Sequence, residues 1–457
     1  MKQRETLGSR LGFILISVGC AVGIGNVWKF PWLVGQYGGG FFVLIYLVFL
    51  CLMGVPVMTM EFSIGRAAQK SPLKMYQEIE PKGTKWHFHG IICLVGNIIL
   101  MMYYTTVAGW MVNYFVKMLT GTFKGMDNAA INQVYSDMTA SPAQMVIFTV
   151  IVIVLGFLIS SMSLQNGLER ISKFMMSALI IIMIVLAVHS MLVPGGASGL
   201  EFYLKPDIAR AKQAGLFNVI VSAMNQAFFT LSIGMGSMAI FGSYIGDDRS
   251  LMGESVTIAA LDTVVAFTSG LIIFPACFAY GVKPDAGPSL IFKTLPNIFA
   301  NMPGGRIWGA LFFVFMSFAA FSTVIAVFEN IVAMMMDLTG FERKKTSLIC
   351  LIMMLVLSMP CALGFNVWSF VQPFGKGTGI MDLEDFLVSN LILPGGAVVF
   401  VLFCTWNKIG WGWDNFLNEA NKGKGLKVAH GMRFYCTFIL PVLIAFLIIF
   451  GLVTFFK

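Results

Sequence analysis

The chain has 457 residues, 58% hydrophobic and 11% charged, with a formal net charge of +8. Soluble globular proteins carry about a quarter charged residues, so this composition, with a mean hydropathy of +0.83, excludes a soluble fold and makes lipid the solvent. The positive excess calls for no nucleic-acid partner, because membrane chains gather Lys and Arg in the loops of one side.

Spans need about 20 apolar residues each, and eleven stretches qualify: 11–35, 40–65, 89–119, 143–161, 168–192, 215–244, 252–281, 305–338, 346–367, 379–405 and 434–456. They leave little chain for a soluble domain, so one all-α integral membrane domain over 1–457 is predicted. The first stretch outruns a signal-peptide core and lacks a small-residue cleavage site, so it is expected to stay attached. It is also interrupted, since 19–28 read Gly19-Cys20-Ala21-Val22-Gly23-Ile24-Gly25-Asn26-Val27-Trp28. The sixth stretch breaks at a corresponding depth, at Thr230-Leu231-Ser232-Ile233-Gly234-Met235-Gly236. Paired broken helices in two halves of a membrane chain point to a secondary transporter with its ion and solute site at the bilayer midplane. Unwound backbone in a protein-lined cavity offers carbonyl oxygens to Na+, while half-helix N-termini attract an anionic group and C-termini a cation. An amino acid carboxylate and Na+ suit such a site.

In the seventh stretch Asp262 stands in the otherwise apolar run 259–267, and a carboxylate at membrane depth is functional by default. Between the seventh and eighth, the two prolines of Pro284-Asp285-Ala286-Gly287-Pro288 and the apolar run 290–301 predict an ordered hairpin of short helices. The linker between the fourth and fifth is short, with Glu169 and Arg170 on the cytoplasmic side, and Gly167 is a candidate for unwinding that opens a water path. With the N-terminus cytoplasmic, nineteen of the thirty Lys and Arg fall on its side and ten on the other, Lys29 lying inside the first span. This predicts an inside N-terminus and, with eleven spans, an outside C-terminus. All eight cysteines fall within spans with no CxxC pair, so free thiols are expected. His87, His89, His189 and His430 show no ligand spacing. No nucleotide-binding or hydrolase motif occurs, which argues against an ATP-driven pump or an enzyme and leaves an ion gradient as the energy source.

The run from Ala21 to Pro31 followed by Gly38-Gly39-Gly40 resembles the opening signature of the neurotransmitter:sodium symporter family. Further landmarks recur in order: Gln226 to Gly234, Gly242-Ser243-Tyr244, Asp262 with Pro275, Ala319-Ala320-Phe321-Ser322-Thr323, and Asp382-Leu383-Glu384-Asp385-Phe386. The likeness is strongest to eleven-span bacterial members that carry tyrosine and hydrophobic amino acids. It implies an inverted repeat, spans 1–5 (1–192) against spans 6–10 (215–405), with 434–456 as an extra span, in a bacterial inner membrane.

Carried over residue by residue, the resemblance implies two sodium sites. One uses Ala21, Asn26, Thr230, Asp262 and the substrate carboxylate; the other uses Gly19, Val22, Ala319, Ser322 and Thr323. Chloride-dependent relatives carry a neutral residue where Asp262 stands, so no chloride requirement is expected. Ala266 supplies no acid where another bacterial relative has Glu, which motivates the hypothesis of proton counter-transport through Asp262. Gly23 stands where monoamine carriers place Asp, so the substrate should bring its own carboxylate, met by the Tyr104 hydroxyl and the amides near Gly23 and Gly25. Its amino group would meet carbonyls around Phe229, Thr230 and Ser232. Leu100, Tyr104, Phe229, Met235, Thr323 and Val327 should line the side-chain pocket, with Ala21 at its edge. Met235 replaces the Phe of a leucine-selective relative, and a flexible thioether suits aromatic rings, which favours tyrosine. The outer gate would pair Lys29 with Asp385, directly or through water, above an aromatic lid of Tyr104 and Phe229, and the inner gate Arg4 with Asp337 beside Tyr244. Alternatives are symport of another amino acid or small zwitterion and, in other classes, an ion channel or an amino acid receptor. The sequence leaves monomer or homodimer open.

Overall fold

A computed structural model describes residues 7–282 and 290–455, and among them every regular element is helical. Nine helices are long and apolar enough to cross a membrane: α3 Gly40–Ala68, α4 Phe88–Thr120, α5 Pro142–Ser160, α6 Gln165–Met191, α9 Leu251–Ala279, α10 Gly305–Thr339, α11 Arg343–Leu363, α12 Ile380–Thr405 and α13 Met432–Phe455. A tenth crossing is the pair α1 Arg10–Ala21 and α2 Gly25–Gln36, bent by 55°. The sixth stretch is divided into α7 Leu216–Thr230 and the short α8 Ser237–Gly242. At 15 residues α7 falls short of a full crossing, because the chain unwinds where the sequence places Gly234 and Gly236.

Those two glycines hold φ of +103° and +74°, conformations that side-chain-bearing residues rarely adopt. Ser232 shares the left-handed region at +51°. A Cβ on Gly234 would run into the Leu393 carbonyl of α12, so glycine is required there for close approach as well as for the turn.

Apolar side chains divide between lipid and core. Of α10, 72% of its most apolar window is buried, against 22% for α13; α10 is therefore the axis of the bundle and α13 its lipid-facing flank. Phe174, Phe434 and Val442 are exposed, as lipid contact demands. Close helix approach relies on small residues: a Cβ on Gly65 of α3 would strike the Ala239 backbone of α8, and one on Gly242 the Phe62 carbonyl of α3. Seven of the eight cysteines are buried and Cys51 is exposed. Short helices Leu290–Thr294 and Leu295–Asn301 tuck Phe292 between Trp28, Trp110 and Tyr114, while Pro284 to Pro288 lie outside the described residues. Gly167 sits in a π-type turn, Gln165–Glu169, at the start of α6.

The unwound stretch needs acceptors and donors from elsewhere. Glu61 of α3, fully buried, accepts from the Gly234 amide. Asn97 Nδ2 of α4 donates to the Met235 carbonyl at 3.0 Å. Removing the Glu61 carboxyl strands the Gly234 amide, at about 1–3 kcal/mol for an unsatisfied buried donor. Glu61→Ala is therefore expected to lower the unfolding temperature in detergent clearly, and Glu61→Gln, which keeps one acceptor oxygen, to lower it less; equal melting of all three proteins would contradict this role.

Candidate functional site

Three polar side chains close a triangle behind the break between α1 and α2. Asn26 Nδ2 donates to Thr230 Oγ1 at 2.9 Å and to Asp262 Oδ1 at 2.8 Å. Thr230 Oγ1 donates in turn to Asp262 Oδ2 at 2.8 Å. All three residues are buried. The Asn26 amide presents its positive pole to two oxygens, one of them a carboxylate in a dry setting, which is the demand a small cation would meet. Asn26 Oδ1 holds the Gly23 amide at 3.2 Å, and Gln226 Nε2 holds the Gly25 carbonyl at 3.0 Å. Ala21 ends α1, where a helix leaves its last carbonyls outside the ladder.

A second group of oxygens joins α1 to α10. Thr323 Oγ1 lies 3.2 Å from the carbonyls of both Gly19 and Val22 and 3.5 Å from that of Ala319. Ser322 Oγ lies 2.9 Å from the Ala319 carbonyl and 3.5 Å from that of Val22. Five oxygens from the five residues expected there converge with no carboxylate among them. Such neutral hard oxygens suit an alkali cation and would hold a transition metal poorly; among the described residues no three His, Cys, Asp or Glu cluster for a metal.

Between the two groups lies a cavity of about 30 Å³, lined by Cys20, Ala21, Gly23, Gly25, Leu100, Tyr104, Phe229, Ser232, Met235, Thr323 and Leu393. The structure thus brings nine expected residues to one wall and adds Cys20 and Leu393. Thr230 stands behind, in the triangle, and Val327 is buried in α10 without reaching the cavity. Tyr104 hydroxyl accepts the Ile24 amide at 3.1 Å, and Ser232 Oγ donates to the Cys20 carbonyl at 3.1 Å. A Cβ on Gly23 would collide with the Tyr104 and Thr323 hydroxyls, so these two hydroxyls reach the break because residue 23 has no side chain.

Outside this cavity opens a vestibule of about 320 Å³, which shares Tyr104 and Phe229 with it and is walled also by Trp28, Lys29, Tyr103 and Asp385. The two shared rings form the partition. Lys29 and Asp385 do not form the expected direct pair. Lys29 Nζ sits over the Phe229 ring, 3.9 Å from its centroid, and Asp385 Oδ1 accepts from Tyr103 at 3.0 Å and Ser389 at 2.8 Å. The lysine ammonium finds its partner in a ring face.

At the opposite end Tyr244 donates to Glu329 Oε1 at 2.8 Å, and Arg343 pairs with Glu329 at 2.6 Å. Asp337 Oδ2 accepts the Ser71 amide at 3.0 Å, and the Leu7 amide reaches the Tyr244 carbonyl at 3.3 Å. Arg4 lies outside the described residues. Glu169 gathers the Gly8 amide, Ser9 and Lys173 at 2.7–2.8 Å. Sequence reasoning passed over Glu329, Arg343 and Glu61, although the signal that singled out Asp262, a carboxylate inside an apolar run, marks Glu61 and Glu329 equally.

The sequence profile of the sodium:neurotransmitter symporter family matches residues 4–137 and 130–457. The chain is 31% identical to an uncharacterized sodium-dependent transporter, YhdH, of Bacillus subtilis, covering 98% of each. It is 26% identical to the sodium-dependent serotonin transporter of Drosophila melanogaster, over 99% of this chain and 77% of that one. Among solved structures, the crystal structure of MhsT in complex with L-phenylalanine superposes with a TM-score of 0.86 at 33% identity, covering 98% of this chain and 99% of that one.

The five-oxygen group makes a direct prediction. Thr323→Val keeps the shape and removes the oxygen that touches two α1 carbonyls. The Na+ concentration giving half-maximal thermal protection should rise about tenfold, equivalent to about 1.4 kcal/mol, with K+ protecting neither protein. Unchanged Na+ protection would remove Thr323 from any cation site.

Proposed function

Because the chain belongs to the sodium:neurotransmitter symporter family, whose members are sodium-coupled membrane transporters and not enzymes, we propose that it carries an aromatic or large hydrophobic amino acid, tyrosine foremost, into the cell with Na+ by alternating access and without chloride. The observation that carries this reading is the placement of two oxygen-lined groups on either side of one small cavity, all three built on the same break in α1 and α2. The substrate carboxylate would face the amides near Gly23 and Gly25 and the Tyr104 hydroxyl and share the first Na+, so that ion and solute enter together. The two groups of oxygens support a reading with two Na+ sites.

The solute class rests on three supports. Gly23 brings no carboxylate to the site, so the substrate would supply its own. The solved relative MhsT was crystallised with phenylalanine. The wall contains Leu100, Phe229 and Met235, and a cavity of about 30 Å³ admits a ring only if Met235 and the Phe229 lid repack, which a thioether chain does at low cost. Asp262 would supply beside the first Na+ the negative charge that chloride supplies in other members, and on the empty return step would carry a proton outward. We further read α7 with α8 as the eleventh, broken crossing, opposite α1 with α2 in an inverted repeat. Loop charges favour a cytoplasmic N-terminus in a bacterial inner membrane.

Purified protein in liposomes with an inward Na+ gradient tests this. Labelled tyrosine should accumulate above its external concentration, with no loss when chloride is replaced by gluconate. Asp262→Asn should lose at least about tenfold of its uptake in gluconate and regain part of it in chloride, the signature of a missing fixed charge near Na+ (about 1.4 kcal/mol or more). Chloride dependence of the unaltered protein, or full chloride indifference of Asp262→Asn, would refute the Asp262 argument; absence of Na+-driven uptake of any amino acid would refute the transport reading.

The pocket predicts a shift in selectivity as well. Met235→Phe fills the flexible wall with a rigid ring, so competition by tyrosine should weaken relative to competition by leucine. An unchanged order of competitors would detach Met235 from substrate choice.

A further inference from the structure

Away from the solute path, a groove of about 750 Å³ opens between the end of α12 and the start of α13. Its rim carries Lys408, His430 and Arg433, its wall Trp406, Phe434 and Phe438, and no acidic side chain lines it. Among the described residues neither Lys408 nor Arg433 has an ion-pair partner, whereas other basic residues near this side, Arg66, Lys173 and Arg343, are each paired with a glutamate. Phe434 and Phe438 are 66% and 60% exposed, with ring centroids 5.4 Å apart. Spaced one turn apart on the most lipid-exposed helix of the bundle, they make an aromatic track that starts beside Arg433 and runs along α13 into the bilayer. Thr437 Oγ1, on the groove wall one turn after Arg433, is buried without a hydrogen-bond partner among the described residues. Unneutralised cations at a membrane boundary, joined to an apolar track at acyl depth, match one kind of molecule from end to end, with an anionic head and a hydrocarbon tail.

We propose that this groove binds an anionic phospholipid, its phosphate held by Lys408 and Arg433 with His430 alongside, and one acyl chain laid over Phe434 and Phe438. A soluble phosphate ester would use the basic rim and leave the track bare. The groove shares no residue with the cavity or either oxygen group, so the inference stands apart from the choice of transported solute.

Native mass spectrometry of the purified protein in neutral detergent tests it, with phosphatidylglycerol and phosphatidylcholine of identical acyl chains as probes and soluble glycerol phosphate as competitor. Phosphatidylglycerol should be retained preferentially, and glycerol phosphate should fail to displace it. Lys408→Ala with Arg433→Ala should weaken retention roughly 30-fold, the combined effect of two basic residues near an anionic surface. Lys408→Arg with Arg433→Lys should restore it, and Lys344→Ala with Lys345→Ala, in the first turn of α11, should leave it unchanged. Phe438→Ser keeps every charge and should still weaken retention, so the tail half of the site is tested even if the double alanine variant misfolds. Equal retention of both lipids, equal loss in the Lys344 and Lys345 variant, or displacement by glycerol phosphate would each overturn the proposal.

Discussion

Everything at the centre of this protein follows from the cost of free backbone groups in hydrocarbon, where no water answers an N–H or C=O and each unpaired group costs several kcal/mol. Two helices are nevertheless broken there, and the molecule treats the two kinds of freed group differently. Freed amides are claimed by the protein itself: Gly234 by Glu61, Gly23 by Asn26 and Ile24 by Tyr104. Freed carbonyls at Gly19 and Val22 are gathered with those of α10 around the Thr323 and Ser322 hydroxyls. A hydroxyl has one proton and meets three carbonyls in the case of Thr323, so this group is rich in acceptors and poor in donors. Such an excess of oxygen is what a cation relieves.

Charge follows the same economy. The membrane interior holds few ionisable groups, and those near the breaks are each tied to a helix end or a hydroxyl. Glu61 is set against the start of α8, where amides point outward and the helix dipole favours an anion. Asp262 is set against Asn26 and Thr230. Lys29 leaves the expected carboxylate for an aromatic face, and in doing so rests on the ring that divides the cavity from the vestibule. A cation on Phe229 ties the position of the lid to the charge above it, so any anion that draws Lys29 away also loosens the partition.

The order of the apolar helices and the place of both breaks were legible in the sequence, the first from long apolar runs and the second from a local violation of a strong rule: glycines and polar residues where lipid demands a continuous apolar helix. Helix ends fell within a few residues for the same reason, since 20 apolar residues leave little freedom. Partner choice was not legible. Asp385 answers Tyr103 and Ser389 in place of Lys29, and Tyr244 answers Glu329; these depend on side-chain reach across helices distant in the chain, which no periodicity encodes. Val327 illustrates the limit on a single helix: it lies one turn beyond Thr323 on α10, yet the drift of 3.6 residues per turn and the tilt of the bundle keep it from the cavity wall.

The break in α1 also explains why ions and solute would act together. Gly19 and Val22 offer carbonyls to one oxygen group, Ala21 and Gly23 line the cavity, and Asn26 anchors the other group, all within eight residues of chain. Thr323 belongs to both the cavity wall and the second group, and Thr230 ends the helix whose continuation, through Ser232, bonds back to Cys20. No element separates the two oxygen groups from the cavity, so a ligand that fixed the geometry of this short stretch in any one of them would remove conformational freedom that binding in the other two would otherwise have to remove. Coupling of that kind needs no pathway across the protein. It is the consequence of building three sites from one unwound segment, and it disappears if the segment is rewound into a helix.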